Sequence, residues 1–124
     1  MFKTMLIAGC GGFVGTCCRY LVIRLCADHV VTRFPLATFL VNIIGCFLVG
    51  LIYGLIEKTD LLPASATVPL VIGFCGGFTT FSSFANEIWN IGSRGDLLLS
   101  IFYMTVSIVV GLLLVWCGRA VVVK

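Results

Sequence analysis

Charge is what this chain has least of. Only 10% of its 124 residues are Asp, Glu, Lys or Arg, eight of them basic and five acidic, against 60% hydrophobic. The mean hydropathy is +1.20. A soluble domain of this length needs a charged surface that so few ionisable residues cannot supply. The net charge of +3 is small and scattered, which argues against a nucleic-acid partner. Histidine is nearly missing as well: His29 is the single one, and no C-x-x-C pair occurs among Cys10, Cys17, Cys18, Cys26, Cys46, Cys75 and Cys117. That disfavours a zinc site, and the cysteines read as small buried apolar side chains within apolar runs. A small-residue cleavage site is lacking after the first apolar run, and further runs follow, so that run is not read as a signal peptide.

What the chain does have is long apolar runs. A membrane helix needs about 20 apolar residues. Four such runs, at about 5–26, 36–56, 68–91 and 97–118, use up the sequence with short connections between them. The expected architecture is an all-α membrane protein, a single four-helix transmembrane domain over residues 1–124, lying in a lipid bilayer.

Span one carries Gly9-Cys-Gly-Gly-Phe-Val-Gly15, which looks like the phosphate loop of a dinucleotide-binding fold, with Asp28 near the place of a ribose-binding acid. Such a fold would continue with alternating strands and amphipathic helices. Three more apolar runs follow instead, so Gly11 and Gly15 are better read as a small-residue packing face. Arg19 lies within the span. Its head either snorkels to an interface or caps a carbonyl terminus, and both compete with a role in attracting anions.

Pro35 suits the first turn of a helix and marks the start of span two. Asn42 stands inside that span. An amide in hydrocarbon needs a partner, found either across helices or in a pore. Gly50 and Gly54 give this span its own small-residue face.

Span three is the unusual one. Its middle reads Gly73-Phe-Cys-Gly-Gly-Phe-Thr-Thr-Phe-Ser-Ser-Phe84. Glycine orders at the largest entropic cost, so Gly76-Gly77 is the weakest place to continue a helix. A helix that breaks in hydrocarbon strands backbone groups, each costing several kcal/mol, unless protein, water or an ion satisfies them. The stretch therefore reads as a binding or conduction element; the plainer alternative is a kinked span whose glycines allow close packing. Thr79, Ser83 and Glu87 recur every four residues, followed by Asn90, which predicts one polar helical face. Phe81, Phe84, Ile88 and Ile91 predict a second stripe beside it. Asp96 is placed to cap span four, in which Tyr103 and Ser107 could extend the polar track. The latter signal is weak, because hydroxyls in membrane helices tend to bond their own backbone.

Loop charge gives almost no orientation. One side counts Lys3, Lys58, Arg119 and Lys124, the other Arg24, Arg33 and Arg94. Four against three is almost no bias, so the positive-inside rule assigns neither side to the cytoplasm.

Taken together, three stretches resemble the Fluc (CrcB-type) fluoride channels over nearly the whole chain. They are Gly11-Gly12-x-x-Gly15-x-x-x-Arg19-Tyr20, Pro35-x-x-Thr38-x-x-Val41-Asn42-x-x-Gly45, and Gly73-x-Cys-Gly-Gly-x-Thr-Thr-Phe-Ser-x-Phe84-x-x-Glu87. The resemblance implies a fluoride-selective channel, not an enzyme, exporting fluoride passively across a bacterial inner membrane. It implies an antiparallel, dual-topology homodimer with a broken third helix and two ion pathways. It further implies a structural sodium ion held by the backbone carbonyls of Gly76 and Thr79. By the same resemblance the pathway takes Asn42, Phe81, Phe84, Ser82 and Ser83, with Glu87 and Tyr103 further along. Ala37, Phe39, Ser83 and Ala85 depart from the pattern; Ser83 keeps a hydroxyl and Ala85 does not.

Neutral donors suit such a task. Amides and hydroxyls bind a small anion without trapping it, and aromatic rings offer a positive edge. Fluoride as the particular anion rests on the resemblance alone. A small proton-coupled multidrug exporter of four-helix dual-topology type is the alternative, but that class wants an acid in its first span and this one has none there. An assembly subunit without transport is a further alternative.

Overall fold

The computed structural model describes residues 1–29 and 32–123, and among them every regular element is helical. Helix α1 is Phe2–His29, α2 Leu36–Lys58, α3 the single turn Gly76–Phe78, α4 Phe81–Ser93 and α5 Leu97–Ala120. A 3₁₀ turn, Ala64–Ala66, and a π-helical segment, Val68–Cys75, lead into α3. The shortest of α1, α2 and α5 has 23 residues. At about 1.5 Å per residue that is about 35 Å, enough to cross about 30 Å of hydrocarbon. With Ala64–Ser93 they make four stretches long and apolar enough to span a membrane. The helix starts agree with the sequence: Pro35 immediately precedes α2, and the Asp96 carboxylate accepts from Leu99 N at 3.3 Å to cap α5.

Small residues decide the packing. α1 lies against the segment Val68–Phe78, where a Cβ at Gly11 or Gly15 would strike the carbonyls of Pro69 and Phe74. Gly73 and Gly77 return the contact, facing the carbonyls of Ala8 and Gly12. α2 lies against α5 in the same way, through Gly50 on Val115, Gly118 on Phe47 and Gly54 on Arg119. Without a hydrophobic drive between helices in lipid, close backbone approach of this kind is what holds them. The face expected of Gly11 and Gly15, and that of Gly50 and Gly54, are therefore both present.

The third stretch changes neighbours halfway. Up to Phe78 it packs on α1; from Phe81 onward it packs on α5. Thr79 (φ −91°, ψ 161°) and Thr80 (φ −149°, ψ 121°) between them are extended. The sequence put the weak point at Gly76-Gly77, but both glycines are helical, with Gly76 at φ −62°, ψ −36°. The reason is packing: Gly77 is wedged against Gly12 and Thr16 of α1, so its conformational freedom is spent on close approach.

Polar contacts tie one end. The Lys58 ammonium donates to the carbonyls of Arg119 (2.8 Å) and Val122 (3.4 Å), satisfying the end of α5. Arg119 pairs with Glu57 at 2.6 Å and lies over the Tyr53 ring at 5.3 Å. Lys58 and Arg119 thus meet at one end, as the loop-charge count assumes; Lys124, counted on that side, lies outside the described residues. The cysteines differ from expectation: all seven are free thiols, yet only Cys75 is buried, and Cys10 and Cys17 face outward. α1 makes its contacts through glycines, which turns its other side chains to the outside of the single chain.

Candidate functional site

The extended pair is held by a residue far away in sequence. Thr80 N donates to Asn42 Oδ1 at 2.8 Å, and Asn42 Nδ2 donates to Thr80 O at 3.0 Å. One amide side chain thus satisfies both backbone groups of a non-helical residue, as a neighbouring strand would. Of the two homes offered for Asn42 by the sequence, the structure supplies the partner across elements and leaves its second amide hydrogen over. Thr80 also begins α4: its hydroxyl accepts from Ser83 N at 3.3 Å.

The carbonyls on either side fare differently. Arg19 Nε donates to Gly77 O at 2.9 Å, so Arg19 caps a carbonyl terminus, one of the roles the sequence left open. Thr79 N and Thr79 Oγ1 both donate to Cys75 O, at 2.9 and 2.8 Å. Thr80 N is committed to Asn42, and Ser83 N to Thr80 Oγ1. The carbonyls of Gly76 and Thr79 therefore accept no hydrogen bond among the described residues.

Around this clasp lies an open concavity of about 400 Å³. Asn42, Thr79, Thr80, Phe81, Phe84 and Ser107 line it, together with apolar residues and no charged one. Ser107 is the surprise: its Oγ is buried without a partner among the described residues, where backbone bonding is the usual habit of such a hydroxyl. The two phenylalanines share the concavity unequally. Their centroids are 6.1 Å apart, but Phe84 is 8% exposed and Phe81 78%.

Glu87 and Tyr103 belong to a second cluster. Thr38 Oγ1 donates to Glu87 Oε2 at 3.1 Å, and Tyr103 OH to Glu87 Oε1 at 3.3 Å. Tyr103 is fully buried, and its ring meets Phe84 edge-on at 5.1 Å, which joins the two clusters. The plain reading of Glu87 as solvated at an interface is thereby replaced by a half-buried carboxylate with two donors.

The polar face drawn through Thr79, Ser83, Glu87 and Asn90 is only partly realised. Thr79 precedes α4, so it is not on that helix, and Ser82 and Ser83 do not line the concavity. Thr38 and Thr80 are the residues that site reasoning missed. Thr38 lies one turn before Asn42 on α2, so the four-residue spacing could have found it. Nothing local marks the backbone of Thr80.

Comparison with known proteins places these residues in company. A family model described as "CrcB-like protein, Camphor Resistance (CrcB)" matches residues 6–119. A protein of Prosthecochloris aestuarii named "Fluoride-specific ion channel FluC" is 43% identical over 96% of this chain and 92% of its own length. Proteins of the same name from Chlorobaculum tepidum (42%, covering 95% of this chain and 93% of the relative) and Flavobacterium psychrophilum (38%, 94% and 94%) are also similar.

Proposed function

Because the chain belongs to the CrcB-like family, we propose that it is a fluoride-selective channel that lets fluoride leave the cytoplasm passively. It is a multi-pass bacterial membrane protein, and its family is one of transport proteins rather than enzymes. The observation that carries the reading is the chemistry of the concavity. Asn42, with an amide hydrogen to spare, lines it together with Phe81, Phe84 and Ser107, whose buried hydroxyl has no partner among the described residues, and no fixed charge is among them. Such a surface replaces part of an anion's water shell and binds it weakly enough to release it. Glu87, Thr38 and Tyr103 continue the track beyond Phe84, with Ser82 and Ser83 on the first turn of α4.

The functional unit in this proposal is an antiparallel, dual-topology homodimer whose third spanning helix is broken at Thr79–Thr80. Large apolar side chains on the outside of the single chain, Phe13, Phe81 and Trp116 among them, call for lipid or a partner. The free carbonyls of Gly76 and Thr79 fit a small monovalent cation, sodium by family resemblance. Unwound backbone carbonyls are the donors such ions take in membrane proteins. Bound there, the ion would neutralise carbonyl dipoles that two crossing chains otherwise leave facing one another.

The multidrug exporter is the weaker reading, since the relatives are named for fluoride and α1 holds no acid before Asp28. The deciding experiment is anion efflux from liposomes carrying the purified chain. Fluoride should leave rapidly and chloride not at all; equal rates, or no efflux of either, would overturn the proposal.

A further inference from the structure

A second polar cavity, of about 480 Å³, lies at the end of the molecule opposite Lys58 and Arg119. Thr32, Arg33, Ile91, Arg94, Asp96 and Leu99 line it. None of these belongs to the clasp or the concavity, and of them Thr32 also lines a neighbouring cavity with Glu87. Two different connections build it. Arg33 comes from the link between α1 and α2, Arg94 and Asp96 from the link between α4 and α5. Neither guanidinium has a carboxylate within ion-pair distance among the described residues, where Arg119 and Glu57 form the ion pair. Asp96 does not neutralise them both, and one of its oxygens is engaged in capping Leu99 N.

The position limits the ligand. α2 begins at Leu36, α4 ends at Ser93 and α5 begins at Leu97, so the cavity sits where spanning helices leave the hydrocarbon. That is headgroup depth. Its floor, Ile91 and Leu99, is apolar, and Leu97 and Leu98 beside it are 64% and 82% exposed. Two planar guanidinium forks suit the oxygens of a phosphate, a hydroxyl suits a third oxygen, and apolar neighbours suit acyl chains. We propose that this cavity binds the phosphate headgroup of an anionic phospholipid. In a dual-topology assembly each copy would present its site to a different leaflet, but the site itself is complete within one chain.

The test uses the full-length chain, delipidated in neutral detergent, with binding of added lipid read by native mass spectrometry and by the thermal unfolding midpoint. Phosphatidylglycerol should bind and raise the midpoint, and phosphatidylcholine should not. Arg33→Gln and Arg94→Gln should each weaken phosphatidylglycerol binding by about fivefold, as expected for one cation at a membrane surface. Arg24→Gln, which removes the same charge from an exposed site on α1, should leave binding unchanged. Arg33→Lys with Arg94→Lys should give an intermediate loss, because charge remains while the fork is gone. Equal weakening by Arg24→Gln would show diffuse charge attraction and overturn the proposal. So would indifference to headgroup charge in the parent chain. Inorganic phosphate that protects as well as the lipid at equal concentration would make this a free-phosphate site and overturn it too. If Arg33→Gln and Arg94→Gln cut anion efflux in liposomes of neutral lipid alone, the arginines serve the conducted ion and not a headgroup.

Discussion

Asn42 and Thr80 form a closed ring of two hydrogen bonds, 2.8 and 3.0 Å, between one side chain and one backbone unit 38 residues on. The Thr80 N–H can face only an acceptor and the Thr80 carbonyl only a donor. That fixes which end of the Asn42 amide carries oxygen. It also leaves one Nδ2 hydrogen for the concavity. The same residue therefore holds Thr80 in place and lines the concavity.

Asn42→Asp tests both roles. The carboxylate still accepts from Thr80 N, but it has no hydrogen for Thr80 O and sets a negative oxygen against that carbonyl. The Thr80 carbonyl keeps its place as the first acceptor of α4 but loses its second donor, and one lost hydrogen bond costs about 0.5–1.5 kcal/mol before the repulsion is added. The expected outcome is a lowered unfolding midpoint together with fluoride efflux abolished in liposomes, since the new charge repels the anion. Parent efflux from a normally assembled Asn42→Asp protein would remove Asn42 from the pathway.

This ring also shows where the sequence was readable. Pro35 before α2, Asp96 at the start of α5 and the Gly11–Gly15 face are local signals, and local physics delivered them. The extended residues are not local. Glycine entropy pointed to Gly76-Gly77, yet both are helical, Gly77 wedged against α1, and the Asn42 amide makes extension tolerable three residues later. Helical periodicity then misplaced Thr79, which precedes the helix it was counted on. It likewise made Phe81 and Phe84 equivalent, although only Phe84 has Tyr103 to pack against. The cysteines were judged by hydropathy, which does not say which side of α1 meets the rest of the chain.

Close backbone contact predicts an intolerance at Gly15. Its missing Cβ would run into the Phe74 carbonyl, and that atom belongs to a rigid helix, not to a flexible side-chain tip. Gly15→Ala should destabilise the fold by about 1–3 kcal/mol as an overpacking change, or displace Val68–Phe78 from α1. Gly9→Ala on the same helix meets open space and serves as the control. Thermal unfolding in detergent should separate them, and equal midpoints would contradict the packing described.

Arg19 separates structure from anion attraction. Arg19→Ala strands the Gly77 carbonyl and removes a charged hydrogen bond, a loss of about 1.5–3 kcal/mol. Arg19→Gln can still donate to Gly77 O but carries no charge. A capping role predicts that Arg19→Gln stays closer to the parent in stability and conducts at near the parent rate per folded protein. Loss of efflux in an Arg19→Gln protein of parent stability would show that the charge itself serves the anion.

The proposed dual topology is motivated by the four-to-three balance of loop cations. A tag at the C-terminus should be labelled from both sides of the membrane. Adding two lysines to one set of loops should make the labelling one-sided and, with single-orientation chains, prevent antiparallel pairing and efflux. One-sided labelling of the parent chain would end this proposal.

Phe81 and Phe84 should part company when each is changed to Ile, which removes the ring quadrupole but stays apolar. Phe84 is buried and meets Tyr103 edge-on at 5.1 Å, so Phe84→Ile forfeits an aromatic pair worth about 0.5–1.5 kcal/mol and loosens the donor that holds Glu87. Phe81, 78% exposed on the single chain, has little to lose within it, and Phe81→Ile should shift chain stability by no more than about 0.5 kcal/mol. Fluoride efflux should fall sharply in both, because both rings line the same concavity. The informative protein is Phe81→Ile: with stability preserved, a fall in efflux can be laid to the ring. Should the Phe81→Ile protein assemble normally and conduct at the parent rate, that ring is a packing residue at an interface, and the anion passes elsewhere.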